Sequence, residues 1–320
     1  MKEKANMKIL VTNPTGKIGR EIVRELLAPE FSVRVIVRDP ARLPHEIREE
    51  VEVVHGSTDD AQTLRRALDG VEALFWCVPT ESVREKNVRG HYERFAQAGC
   101  DAVRKAGTPR VVTVSAAGKG LAHSTSSTSG LHTMEDILNE SGAAIRHLRC
   151  GLFMENFLRE LQTICEHGII SYPMPGHIPI PMVAVSDIAD AALKSLVRRE
   201  WKGIDGIAVL GPEDVSFGQA TAVIERVLER PVRYEEASPA TYAKTLIGFG
   251  AGAEYARGLV NMFAELAKGI TSAESRTTAS TTPTTLSAWA RSKLLPLIDS
   301  PCLQPAQFES ETASACMCQI

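Results

Sequence analysis

The stretch that most restricts this chain is Met7 to Asp39, MKILVTNPTGKIGREIVRELLAPEFSVRVIVRD, which reads as strand, glycine turn, helix and second strand. Ile9, Leu10 and Val11 form a short apolar run that breaks at Asn13-Pro14-Thr15-Gly16. Beyond the break, Ile18, Ile22, Val23, Leu26 and Leu27 recur at three- and four-residue steps, the spacing of one helix face. Val33, Val35 and Val37 then alternate as a strand. A βαβ unit of this kind crosses over right-handed and sets its strands parallel.

A glycine turn at the carboxyl end of a first strand aims backbone N–H groups and a helix N-terminus at one point, where a pyrophosphate is stabilised. Gly16 and Gly19 keep the chain thin there. Asn13 holds the place of the usual motif's first glycine, and Asn accepts positive φ more readily than other non-glycine residues. Strand before, helix after and second strand on schedule complete a dinucleotide fingerprint, with Asn13, Thr15, Gly16, Lys17, Ile18 and Gly19 expected at the cofactor. An acidic residue ending the second strand would bond a ribose 2′-hydroxyl, whereas a basic one accommodates a 2′-phosphate. The chain has Arg38, with Arg42 and Lys17 able to add charge, so NADP(H) is expected over NAD(H). Asp39 followed by Pro40 reads as a helix cap that leaves Arg38 to face the ligand.

The alternation continues. Val51 to Val54 suggests a third strand, and the turn at His55 to Asp60 places Ser57 and Thr58 within reach of an adenine. Ala61 to Leu68 reads as a helix with Gly70 as its C-cap. Ala73 to Val78 is an unbroken apolar strand, as in a parallel sheet covered on both faces, stopped by Pro79. A helix from Val88 to Lys105 and a strand from Arg110 to Ser115 follow. The expected fold is a doubly wound parallel α/β sheet of the Rossmann type with a smaller, mostly helical C-terminal lobe. Strand ends converging on the cofactor add Val78, Pro79, Ser115 and Cys150 to its expected contacts.

Residues 118–130 read as a polar, mobile flap, with a helix from His132 to Asn139 behind it. Asp187 is placed to cap a helix from Ile188 to Val197. Two helical patterns, 216–229 and 240–268, flank a strand at Val232 to Glu235 and would enclose a substrate cleft. From Thr271 to Ser287 eleven of seventeen residues are Ser or Thr, which suggests a linker or extended arm, after which Trp289, Leu294 and Leu295 give a short amphipathic helix able to dock back. The divisions expected are a dinucleotide-binding core over 1–150, a substrate lobe over 151–270 interleaved with core elements returning at 182–210, and an arm with a poorly ordered tail over 271–320.

A chain of 320 residues is ample for such a domain. The formal net charge of −3 supplies no global attraction to nucleic acid or an anionic membrane. No run of about 18 apolar residues marks a membrane span, and the N-terminus lacks a signal-peptide core, so a cytoplasmic protein is expected. Seven cysteines, at 77, 100, 150, 165, 302, 316 and 318, form no disulfide framework, and without ligand-spaced His or Cys partners no metal site is expected.

Together, ILVTNPTGKIG, VRVIVRDP, Gly56 to Asp59, LRRALDGVEALFWCVP, RVVTVSAAG, LRCGLFMENF and MVAVSDIADAAL resemble the NmrA-like branch of atypical short-chain dehydrogenase/reductases, in order from residue 7 to about 290. The resemblance implies a Rossmann core with a small lobe, NADP(H) binding and a substrate cleft at Phe153-Met154-Glu155-Asn156. Phe153, Met154, Asn156, Phe157 and Tyr172 are accordingly the expected substrate contacts, although their apolar members suit a core equally well. Dehydrogenases of the wider family use a Tyr-x-x-x-Lys pair in which lysine lowers the tyrosine pKa. Thr128 and His132 stand at the matching places, and a threonine hydroxyl is too weak an acid to replace the phenol.

Three readings follow. One is an NADPH-dependent reductase of a small carbonyl, quinone or enone, with His132, Ser115 or a water supplying the proton. The others are a non-catalytic NADP(H) redox sensor with a regulatory protein partner, and a non-redox enzyme on the same fold. The long helix from Val88 offers a face for a homodimer, without a specific seam.

Overall fold

The computed structural model describes residues 6–80, 84–108, 110–121 and 126–299. Its first half alternates β1 (Met7–Val11), α1 (Lys17–Glu25), β2 (Phe31–Val37), α2 (His45–Arg48), β3 (Glu52–His55), α3 (Ala61–Ala67), β4 (Ala73–Trp76), α4 (Val88–Ala106), β5 (Arg110–Ala116), α5 (Ser127–Asn139) and β6 (Ala144–Cys150). The second half holds β7 (Leu152–Phe153), a 3-10 segment (Met154–Glu160), α6 (Leu161–His167), β8 (Ile169–Tyr172), β9 (Ile180–Val183), α7 (Val185–Val197), β10 (Ile204–Val209), β11 (Asp214–Val215), α8 (Phe217–Leu228), β12 (Arg233–Glu236), α9 (Pro239–Gly248), α10 (Ala253–Ala267), α11 (Leu286–Trp289) and α12 (Leu295–Ile298).

Seven strands pair in parallel in the order β10-β6-β5-β4-β1-β2-β3. The unbroken apolar run of β4, buried along its whole length at the middle of the sheet, is explained by cover on both faces. Ile9 and Val11 face α1 and α7, packing with Ile22, Val23, Ile188 and Leu196, while Leu10, Leu74 and Trp76 face α3, α4 and α5 with Leu64, Phe95 and Met134. Chain order reverses between β1 and β4, opening a crevice at their carboxyl ends.

The second half has its own core of Met154, Phe157, Tyr172, Phe217, Phe263, Trp289 and Leu294. The Ser/Thr-rich stretch is not a free arm but lies along both cores, and several of its polar groups bond partners far away in sequence. Glu274 accepts the Gly118 N–H at 2.6 Å, Arg276 donates to the carbonyls of Gly211 (2.6 Å) and Leu210 (3.2 Å), and the Leu210 N–H donates to the Ser280 carbonyl at 2.9 Å. Trp289 docks as its pattern suggests, 1% exposed, donating Nε1–H to Glu155 at 3.0 Å.

Several local expectations are corrected. Helix α5 begins at Ser127, five residues before His132, because Ser126 and Ser129 form a reciprocal capping box that a run of serines and threonines conceals. Within the expected flap at 118–130, residues 122–125 lie outside the described residues, as does the tail beyond 299 with Cys302, Cys316 and Cys318. Asp187 does not cap its helix, which starts two residues earlier, and instead accepts the N–H of Thr284 at 3.0 Å and that residue's hydroxyl. The single helix expected over 240–268 is two, parted where Gly250 takes φ +91°. Leu68 rather than Gly70 closes α3.

Candidate active site

The turn after β1 is held by two close approaches. Asn13 adopts φ 51°, as its position in the motif requires, and its carbonyl accepts the Gly16 N–H at 3.0 Å. A Cβ on Gly19 would stand 2.2 Å from the Asn13 carbonyl oxygen, so only glycine lets α1 begin this close to the turn. No side chain caps α1. Thr12 fixes the crevice itself: its hydroxyl donates to the Phe75 carbonyl at 3.1 Å and accepts the Cys77 N–H at 2.8 Å, tying β1 to the end of β4.

Above these strand ends lies a cavity of about 340 Å³. It brings together twelve of the residues named from sequence: Asn13, Thr15, Gly16, Lys17, Ile18, Arg38, Val78, Pro79, Ser115, Cys150, Phe153 and Asn156. Arg42 joins Arg38 in its wall. Asp39 caps the 3-10 turn that follows, accepting the Ala41 N–H at 3.0 Å with Pro40 in first position, and Arg38 remains exposed. Burial pushes the Cys77 thiol up to about 11 and Cys150 higher still, so both are protonated wall groups rather than nucleophiles.

Other named residues stand elsewhere. Gly19 lies behind the turn. Ser57 and Thr58 do not line the cavity, and the Ser57 hydroxyl is taken by Asp59. Met154, Phe157 and Tyr172 belong to the core of the second half, where Tyr172 lies 4.6 Å from Phe217 between ring centroids. His132 also lies outside the lining; its Nε2 donates to the Ala116 carbonyl at 2.9 Å, and burial holds its pKa below the ordinary value. A neutral imidazole whose proton is committed to a backbone carbonyl does not present it to a substrate.

Ser115 lies at the cavity, 2% exposed, where β5 ends. Behind it, Glu135 pairs with Arg149 at 2.8 Å. Burial opposes ionisation of Glu135, but the bond from Arg149, the nearby His147 and the Ser115 hydroxyl outweigh it and keep that carboxyl below its usual range. Thr128 lines the cavity, one turn before His132. Sequence reasoning passed over Tyr92, Arg159 and the α10 residues Tyr255, Leu259 and Met262 as lining. The 255, 259, 262 spacing marks a helix face, but periodicity does not distinguish a face turned to a pocket from one turned to a core. Among the described residues no helix is long and apolar enough to cross a membrane, and no cluster of His, Cys, Asp or Glu could hold a metal ion.

Fold and cavity together define a Rossmann-like α/β protein whose crevice opens where the strand order reverses. The chain belongs to the NmrA-like family, whose model matches residues 5–290. It is 33% identical over 232 residues to a (4-alkanoyl-5-oxo-2,5-dihydrofuran-3-yl)methyl phosphate reductase of Streptomyces griseus, covering 71% of this chain and 76% of the relative. Identity to an NAD(P)H azoreductase of Xenophilus azovorans is 27% over 242 residues, covering 76% of this chain and 81% of the relative. An NADPH-dependent quinone oxidoreductase from Escherichia coli, solved in complex with NADPH, shares the fold at a TM-score of 0.73 and 23% identity, over 89% of this chain and 99% of that one.

Proposed function

We propose that this protein is an NADPH-dependent reductase of a small conjugated acceptor, a quinone, an enone or a related carbonyl. The observation that carries the reading is one cavity holding the Asn13–Gly16 turn, the Arg38 and Arg42 guanidiniums and the apolar side chains of Leu259 and Met262. The chain fits the cofactor: Gly16 lines the cavity beside an α1 that no side chain caps, Gly19 lets that helix start against the turn, and two arginines follow β2, where a 2′-phosphate is recognised. The relatives named above are themselves reductases, two of them named for NADPH or NAD(P)H. When bound, NADPH supplies a hydride to the acceptor.

The site's proton chemistry narrows the acceptor. Thr128 replaces the usual phenol, and His132 is engaged by Ala116. Tyr92 and Tyr255 line the cavity, but Ala96 and Leu259 stand four residues on, where the dehydrogenase pair has its lysine. Without a phenol activated in that way, the acceptor is one whose reduction leaves a delocalised, phenol-like anion that solvent can reprotonate without a side-chain acid; a simple ketone would leave a far more basic alkoxide.

The test is titration with NADPH and NADH, then a panel of a naphthoquinone, a cyclic enone and a simple ketone. NADPH binds more tightly than NADH, Arg38→Ala weakens NADPH alone by about 10- to 100-fold, the range of a lost charge-assisted hydrogen bond, and conjugated acceptors are reduced faster than the ketone. Equal affinities that Arg38→Ala leaves unchanged overturn the cofactor assignment. NADPH binding without turnover of any acceptor overturns the reductase and favours a cofactor sensor.

A further inference from the structure

We infer that the organic acceptor carries an anionic group, carboxylate, sulfonate or phosphate ester, and that Arg159 receives it. This rests on the reductase reading. Arg159 lies in the 3-10 segment Met154–Glu160 and lines the cavity, half-buried. Among the described residues its side chain makes no hydrogen bond or ion pair, and its Nε is buried without a partner. Arg34 and Arg230 also bury an Nε without a hydrogen bond, but neither lines the cavity and each is held through its other nitrogens, Arg34 to Ala67 and Asp69 and Arg230 to Cys165, while Arg276 bonds Leu210, Gly211 and Asp214. A guanidinium held at a cavity wall with a buried donor unused is shaped for an anion arriving from the cavity.

The neighbouring acids do not cancel its charge. Glu155, itself in the wall, has one oxygen on the Trp289 Nε1–H and the other on the Val185 N–H at 3.1 Å, and burial raises its carboxyl. Glu160 is pushed by burial to about 7 and bonds the Ser171 backbone, so near neutrality much of it is uncharged. Burial likewise keeps the facing phenols Tyr172 and Tyr242 protonated.

Nor does Arg159 serve the cofactor's 2′-phosphate. Arg38 and Arg42 follow β2, whereas Arg159 follows β6 and β7, and β2 and β6 stand four strand spacings apart, ~19 Å. With Leu259 and Met262 also in the wall, the cavity suits an apolar ring system bearing a negative charge.

The test compares 1,4-naphthoquinone-2-sulfonate with 1,4-naphthoquinone at saturating NADPH in wild type, Arg159→Gln and Arg159→Lys. The wild type prefers the sulfonate; in Arg159→Gln the ratio of kcat/KM values, anionic over neutral, falls 10- to 100-fold, chiefly through KM, and Arg159→Lys restores part of it. A second arm measures calorimetric binding of 1-naphthoate, 1-naphthyl phosphate and 1-naphthol to the NADP-saturated protein, which distinguishes a carboxylate from a phosphate preference. An unchanged ratio in Arg159→Gln, or naphthyl anions that bind no better than 1-naphthol, overturns the inference. Arg159-dependent anion binding without quinone turnover keeps the anion site and sinks the reductase, whereas turnover without anion preference does the reverse.

Discussion

Replacing Gly19 by alanine sets two effects of opposite sign against each other. Gly19 lies inside α1, where alanine should stabilise an ordinary helix by about 1 kcal/mol. The added Cβ would instead meet the Asn13 carbonyl oxygen at 2.2 Å and the Pro14 Cα at 3.0 Å, both backbone atoms. Relief to an ordinary contact of 3.4 Å means moving turn and helix apart by about 1.2 Å. Overpacking of this kind costs about 1–3 kcal/mol, so the net change is a loss of up to about 2 kcal/mol, a few degrees in Tm. A displacement of about 1 Å also takes hydrogen bonds at the turn beyond useful length, and NADPH affinity should fall at least about tenfold. Gly16→Ala is the control for stability alone, since its Cβ would meet only the Asn13 side-chain amide, at 2.7 Å, which can rotate away. Thermal melts and NADPH titration decide the matter. A Gly19→Ala protein as stable as the wild type, with NADPH affinity within about threefold, would refute the argument.

Two further outcomes are expected. His147, bonded to Thr113 through Nδ1 at 2.7 Å and to Asn139 through Nε2 at 2.9 Å, has its pKa lowered by burial from 6.5 to about 4. The unfolded chain therefore takes up this proton first as pH falls: the stabilisation is complete above about 6.5 and lost toward about 4, with a loss of about 1.5 kcal/mol between pH 6.5 and 5. Urea midpoints at those pH values should show the loss in the wild type and much less of it in His147→Gln; parallel slopes would remove His147 as the cause. Trp289→Phe leaves the buried Glu155 carboxylate short of a donor and should cost on the order of 2 kcal/mol in urea denaturation, whereas a change below about 0.5 kcal/mol would show that the bond contributes nothing.

Those elements that bury a continuous face were legible from sequence alone. The βαβ opening, the run from Ala73 and the long helix from Val88 all declare themselves through apolar spacing. The position of Arg38 in the cavity wall was legible as well, because strand, Asp39 cap and Pro40 leave one residue at the end of β2 free of the local structure. What stayed hidden depends on partners distant in the chain. Asp187 sits where a helix cap belongs, and only the return of Thr284 shows its other use. His132 and Thr128 occupy adjacent turns of α5, and nothing in their spacing tells that one meets the cavity while the other meets the Ala116 carbonyl. Met154 and Phe157 read alike as pocket or core because apolar side chains suit both.

The Ser/Thr-rich segment fastens onto groups made long before it: Glu274 on Gly118, 156 residues back, Thr284 on Asp187, 97 back, and Trp289 on Glu155, 134 back. A ribosome releases these clasps long after the groups they hold, so a nascent chain halted short of Trp289 leaves the Glu155 carboxylate without that donor at the wall of the cavity. Loops this long are slow to close, and refolding should end in a late phase that appears together with the capacity to hold a nucleotide.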